Sequence, residues 1–261
     1  MCGRYVLVQK VEAIEKRFQV ERSVDFVCSP SVNIGVGRSA PVITDHDPTE
    51  LNMAVFGLTP FWAKKRLYFF NARAEGDRNK ENDPNYRGAL DIIVKPAFRR
   101  SIRSKRCLVP FDAFVEGTTE KKLSEPFLVH LTDRPGPHAF AGIWDDWQDP
   151  LTGRSERNFA IITTVANRTI QALPHHRSPV LLHRDDERLW LQRDLPLADV
   201  LALLRPYPAE AMNAWPLDPA IKDPRAEGPE LLRPTGDPVR QENELVFSVD
   251  LLLQGMGSGK R

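Results

Sequence analysis

Cysteine is scarce in this chain: three in 261 residues, Cys2, Cys28 and Cys107, with no Cys-x-x-Cys pair among them. That excludes a disulfide framework and a cysteine-rich zinc site, and it leaves Cys28 and Cys107 to be read as buried thiols acting as small hydrophobes. Long apolar runs are missing as well. No stretch approaches the ~18 residues that a membrane span needs, and Met1-Cys2-Gly3-Arg4-Tyr5 lacks the apolar centre of a secretion signal, so a cytoplasmic protein with no membrane partner is expected. Nor does either sign of charge dominate. Lys and Arg number 36 against 35 Asp and Glu, a net charge of +1, without the basic surplus usual in nucleic-acid binders. Internal repeats and a domain-dividing linker are absent too.

What is present is an ordinary globular composition, 41% hydrophobic, in a length that suits one or two domains. Short apolar or alternating runs separated by turn residues predict strands at Cys2 to Val8, Pro41 to Thr44, Leu51 to Gly57, Arg106 to Val109, Ala113 to Glu116, Pro126 to Leu131, Ala139 to Trp144 and Phe159 to Val165. Ser29 to Pro41, rich in Pro, Gly and Ser, reads as a loop. Helical spacing follows the first strand at Val11, Ile14 and Phe18, and recurs at Ala97 to Ser104, Arg168 to Ala172, Asp186 to Gln192 and Leu197 to Leu204. The irregular interleaving predicts an α+β fold: one domain over residues 1–253 with a β-rich, largely antiparallel, barrel-like core and peripheral helices. Gln254 to Arg261, small and polar, reads as a flexible C-terminal tail.

The balanced charge total hides an uneven distribution. Residues 61–110 carry 13 Lys and Arg against 5 acids, and the densest part, Lys95 to Arg106, holds six cations and no acid. On charge alone this is a solvated face. Phe61, Trp62, Tyr68, Phe69 and Phe70, however, are interleaved with Lys64, Lys65, Arg66 and Arg73. Single-strand nucleic-acid sites combine cationic tracks with flat rings on which bases stack, although rings of this kind also build cores.

Cys2 stands apart because loss of Met1 would leave it as a 1,2-aminothiol. Its amine can condense with an aldehyde to a Schiff base, onto which the thiol closes as a thiazolidine. Alternatively the thiol can attack an amide carbonyl while its own amine serves as base, the chemistry of N-terminal nucleophile hydrolases. Position alone does not choose between them.

An ordered set of short motifs does. After Cys2-Gly3-Arg4-Tyr5 come Gly57-Leu58-Thr59-Pro60-Phe61-Trp62, Asn71-Ala72-Arg73-Ala74-Glu75, Pro96-Ala97-Phe98-Arg99 leading into Arg106-Cys107-Leu108-Val109-Pro110, Phe114-Val115-Glu116, Phe140-Ala141-Gly142-Ile143-Trp144, Ile162-Thr163-Thr164 and His175-His176-Arg177-Ser178-Pro179-Val180. In order and spacing this resembles the SOS response associated peptidase (SRAP) family of abasic-site-processing proteins, over most of residues 2–232. Departures are Gly117 and Ser178, where the family usually has Trp and Met or Arg, Val36, where proline is common, and one extra residue after Asn167.

The resemblance implies a protein of the DNA-damage (SOS) response that binds single-stranded DNA at an abasic site and crosslinks the sugar aldehyde through Cys2, with no cofactor and no metal. It implies that Glu116 handles the Cys2 amine proton, that His175 moves a proton at the sugar ring oxygen, and that Asn71 hydrogen-bonds beside the reacting sugar. Arg4, Arg73 and Arg177 would hold phosphates, and Phe61 and Trp62 would stack on or wedge beside bases. It further implies autocatalytic loss of Met1 through Cys2. A monomer is expected, associated with the nucleoid when bound to DNA. Plainer readings stand beside these: Asn71 satisfying a turn, Glu116 as the buried partner of an arginine, and Arg73 and Arg177 as structural ion pairs. The Met-Cys-Gly start also suits a class II glutamine amidotransferase, although no glutamine-pocket motif follows it, and a non-catalytic single-strand binding module with an unreactive Cys2 is a further alternative.

Overall fold

The computed structural model describes residues 2–241, so the tail expected at Gln254 to Arg261 lies outside the described residues. Its first half runs β1 (Arg4–Leu7), α1 (Val11–Phe18), β2 (Glu21–Arg22), β3 (Ser31–Gly35), β4 (Ser39–Thr44), β5 (Glu50–Phe56), β6 (Asn71–Arg73) and α2 (Ser101–Ser104). The second half runs β7 (Arg106–Phe111), β8 (Ala113–Thr118), β9 (Lys122–Leu131), β10 (His138–Gln148), β11 (Ser155–Val165), α3 (Arg168–Ala172), β12 (Arg177–Pro179), α4 (Arg184–Leu191), α5 (Leu197–Ala202) and β13 (Met212–Pro216). Among the described residues no helix is long and apolar enough to cross a membrane.

Five strands close into a barrel. β11 pairs antiparallel with β10, β10 with β7, β7 with β4 and β4 with β5, and a parallel pair between β5 and β11 completes the ring. Closure leaves no exposed edge within the ring, which is why β7 is buried along its whole length rather than on alternate residues. Aromatic rings fill the interior: Phe56 stacks on Phe159 at 5.1 Å between centroids, and Phe111 stacks on Phe140. The second sheet runs β13-β9-β8-β1-β3. Its β1 sends Tyr5 edge-on against Phe56 and Phe140, so the residues just after Cys2 are anchored in the barrel core. Between β7 and β8 the chain passes from barrel to sheet at one residue, Asp112, whose carboxylate accepts the Val8 and Gln9 amides at 2.7 and 3.1 Å. The α+β, mainly antiparallel architecture matches the sequence expectation.

Three expectations need correction. The stretch read as a loop from Ser29 to Pro41 contains β3, buried throughout, and the start of β4. β3 tolerates its polar residues because Asn33 donates to the carbonyls of Asp223 and Ala226, both at 2.9 Å, and accepts from Arg4 at 2.6 Å; that stitching is remote in sequence. Cys28 is only half-buried, whereas Cys107 is buried as expected. Helix α3 spans the predicted residues, while α2 is shorter than Ala97 to Ser104 because residues 96–100 form turns before it.

Candidate active site

β1, β8 and the turn after α3 converge on one cleft. It has a volume of 710 Å³, and Gly3, Arg4, Phe70, Glu116 and His175 are among the residues that line it. Cys2, next in sequence to the lining residue Gly3, is 0% exposed, with its Sγ 3.7 Å from the Arg4 carbonyl oxygen. Burial, and then the neighbouring Glu116, push the thiol well above its ordinary range, so it is held as a neutral thiol.

Three predicted residues meet there from separate elements. Asn71, the first residue of β6, donates from Nδ2 to the Cys2 carbonyl at 3.1 Å, and its buried Oδ1 has no partner among the described residues. Glu116 in β8 approaches His175 Nε2 at 3.4 Å, with both side chains almost wholly buried. Burial raises the Glu116 carboxyl and lowers the His175 imidazole to about 3, so the same desolvation favours the uncharged form of each. His176 stacks on His175 at 5.0 Å between centroids, and its Nδ1 meets the Thr119 hydroxyl at 3.0 Å. Thr119 also bonds the Pro174 carbonyl through both its amide and its hydroxyl, at 2.9 and 2.8 Å. The β8–β9 turn is thereby tied to the histidine turn, which fixes Glu116 against His175. Thr119 lies in no motif, and only the fold reveals its role.

The predicted arginines differ in setting. Arg4 lines the cleft with its guanidinium held by Asn33 and by the Lys222 carbonyl at 2.6 Å. Half-buried Arg73 bonds the Asn79 carbonyl and, at 2.8 Å, Asn82. Arg177 is 2% exposed and pairs through Nη2 with Glu75 at 2.7 Å and with the Thr163 carbonyl at 2.9 Å, so the ion-pair reading describes half of its guanidinium. Its Nε and Nη1, like Arg73 Nε, are buried without a hydrogen-bond partner among the described residues. Orphaned guanidinium hydrogens are costly unless a ligand supplies acceptors. Glu75, the last residue of the Asn-Ala-Arg-x-Glu motif, explains itself here as the anchor of both arginines, with Arg73 Nε 3.9 Å away.

Phe61 and Trp62 stand outside this cluster on a loop after β5, 48% and 50% exposed. The loop is bolted from the barrel: Asn158 accepts the Thr59 amide at 2.9 Å, Asp145 accepts the Phe61 amide at 2.9 Å, and Trp147 donates to the Ala63 carbonyl at 2.8 Å. Arg100 lies 4.4 Å over the Phe61 ring. Two large apolar rings are thus held rigidly in solvent, an arrangement without benefit to the fold. Asp145 and Asn158 carry no motif and were not foreseen in this role; both are buried, at 2% and 0% exposure, which their polar sequence neighbourhood does not reveal.

Comparison with known proteins places the chain as a whole. Residues 1–224 match the SOS response associated peptidase (SRAP) family. The abasic site processing protein YoqW of Bacillus subtilis (strain 168) is 30% identical over 239 residues, covering 89% of this chain and 99% of the relative. The abasic site processing protein HMCES of Xenopus tropicalis is 25% identical over 232 residues, covering 78% of this chain and 65% of the relative. A crystal structure of a protein from Bacteroides thetaiotaomicron superposes with a TM-score of 0.75 at 26% identity, over 90% of this chain and 100% of that one. This chain therefore belongs to the SRAP family.

Proposed function

We propose that this protein processes abasic sites in DNA: it binds single-stranded DNA and, once Met1 is removed, Cys2 captures the open-ring sugar aldehyde as a thiazolidine crosslink. The observation that carries this reading is that elements far apart in sequence meet around Cys2: Asn71 bonds its carbonyl, and Glu116, which acts on its thiol, lies against His175 in the lining of one cleft. The names of YoqW and HMCES point to the same substrate.

The chemistry follows from the protonation states. The neutral thiol leaves the free Cys2 amine as the first nucleophile, and Glu116, in its ionised form, takes the proton that otherwise occupies the amine lone pair. Amine and aldehyde lose water to form an imine; Sγ then adds to the imine carbon, and the thiol proton passes to nitrogen. His175, neutral in the free protein, hydrogen-bonds the sugar ring oxygen and exchanges its proton as the ring opens, helped by DNA phosphates that favour its charged form. Nε and Nη1 of Arg177 and Nε of Arg73 supply hydrogens to a phosphate, and Arg4, which lines the cleft, supplies charge. Phe61 and Trp62 stack on or wedge beside bases. Loss of Met1 is assigned to Cys2 itself: an N-to-S shift of the Met1 acyl group frees the amine, and water hydrolyses the thioester. No step requires a cofactor or metal, and the unit that acts is a monomer.

The test is an oligonucleotide with a single abasic site. Denaturing electrophoresis should show a protein–DNA adduct that is lost in Cys2→Ala. Release of ammonia from glutamine without an adduct would instead establish the amidotransferase chemistry.

A further inference from the structure

Tyr68 has a setting that neither the motifs nor the reaction uses. Its ring is half exposed, at 51%, yet firmly held. The Arg66 guanidinium lies 4.6 Å over it and 5.5 Å over Trp147, while Arg66 is ion-paired to Glu156. At its edge the ring sits on Gly57, whose φ of +122° and lack of a side chain make the seat: a Cβ there would fall 2.8 Å from Tyr68 Cδ1. Gly37 lies on the same side, and its neighbours Val36 and Arg38 line the mouth of the cleft. Three residues further along, Asn71 bonds the Cys2 carbonyl, so Tyr68 stands within about 10 Å of chain from the reacting centre. Arg38 is loosely held, its Nη2 3.8 Å from Glu227 with 57% of the side chain exposed.

A ring that serves packing is covered, and a ring that serves nothing is not clamped between a cation and a glycine seat. We propose that Tyr68 and Arg38 form a subsite at the cleft mouth, in which Tyr68 stacks the nucleobase flanking the abasic residue and Arg38 pairs with the adjoining phosphate. This rests on the single-strand reading above and adds a contact between Phe61 and Trp62 on one side and Asn71 on the other in sequence.

The test measures binding of a fluorescent single-stranded oligonucleotide carrying a stable abasic analogue without an aldehyde, across a salt series. Tyr68→Leu should weaken binding about tenfold at every salt concentration, and Tyr68→Phe should bind within about twofold of wild type. Arg38→Gln should flatten the slope of log affinity against log salt by about 0.7. Wild-type binding by Tyr68→Leu, an equal loss in Tyr68→Phe, or an unchanged slope in Arg38→Gln overturns the subsite. The probe cannot crosslink, so this outcome is independent of Cys2; conversely, a failed adduct assay with strong probe binding would sink the crosslinking reading and leave the subsite standing.

Discussion

Glu116 and His175 show how one physical cause prepares two groups for opposite tasks. Burial raises the carboxyl and lowers the imidazole, so desolvation favours the uncharged form of each. A protonated Glu116 cannot accept the amine proton. Adduct formation should therefore slow as pH falls through the raised Glu116 range, and His175, at about 3, contributes no inflection near neutrality. Glu116→Gln should form adduct about a hundredfold more slowly and lose that pH dependence, as read from single-turnover rates at several pH values. At this scale the proposed set was legible, because Cys2, Asn71, Glu116 and His175 stand in the motifs that carry the family resemblance. Burial was not. Arg106 belongs to the densest basic run, yet it is fully buried, donating to the carbonyls of Trp190 at 2.8 Å and Gln192 at 2.7 Å, and residue type alone cannot distinguish such an arginine from a solvated one.

Between residues and the whole lie the turns that carry the reactive groups. Gly117, directly after Glu116, is overlain by the returning β9 strand: a Cβ would lie 2.1 Å from the Lys122 carbonyl oxygen, a backbone atom that cannot swing away. The glycine that departs from the family's usual Trp is thus demanded by the hairpin of this chain. Gly117→Ala should force the β8–β9 turn outward, loosen the Thr119 tie to His176 and displace Glu116, lowering stability by about 2 kcal/mol in chemical denaturation along with adduct yield. An unchanged denaturation midpoint and yield would refute that role. Strands with continuous apolar runs, such as β7 and β10, were readable from sequence, whereas β3 and β13 were not. Met212-Asn213-Ala214-Trp215-Pro216 is a strand because β9 lies beside it, and the Asn33 bonds that make β3 possible reach residues 221–226. Local pattern contains neither partner.

For the molecule as a whole, the charge distribution narrows once the fold is known. Of the six cations between Lys95 and Arg106, Lys95 pairs with Asp77, Lys105 with Asp145 at 2.7 Å, Arg103 bonds the Ile93 carbonyl at 2.8 Å and Arg106 is internal, so Arg99 and Arg100 are the ones left to face solvent unpaired by an acid or a carbonyl. With Arg4, Arg38, Arg73 and Arg177 already assigned to phosphates, Arg99 and Arg100 make six contacts at about 0.7 each, so affinity for single-stranded DNA should fall with salt at a log–log slope of about −4, against about −9 if all 13 basic residues of the segment met phosphates. Fluorescence titration over a range of salt concentrations decides between them, and a flat response would remove the electrostatic contribution altogether.

The complete burial of Cys2 also sets an order of events in time. Cys2 precedes Glu116 and His175 by more than a hundred residues, so it leaves the ribosome before them, and the ring cannot close until β11 reaches β5. A processing enzyme that trims methionine has access to the nascent chain but not to a cysteine enclosed by the finished protein. On the proposed mechanism a Met1 still present once the barrel has closed is left to the chain's own thiol, and full-length protein refolded from denaturant without such an enzyme should mature by itself, as mass spectrometry would read.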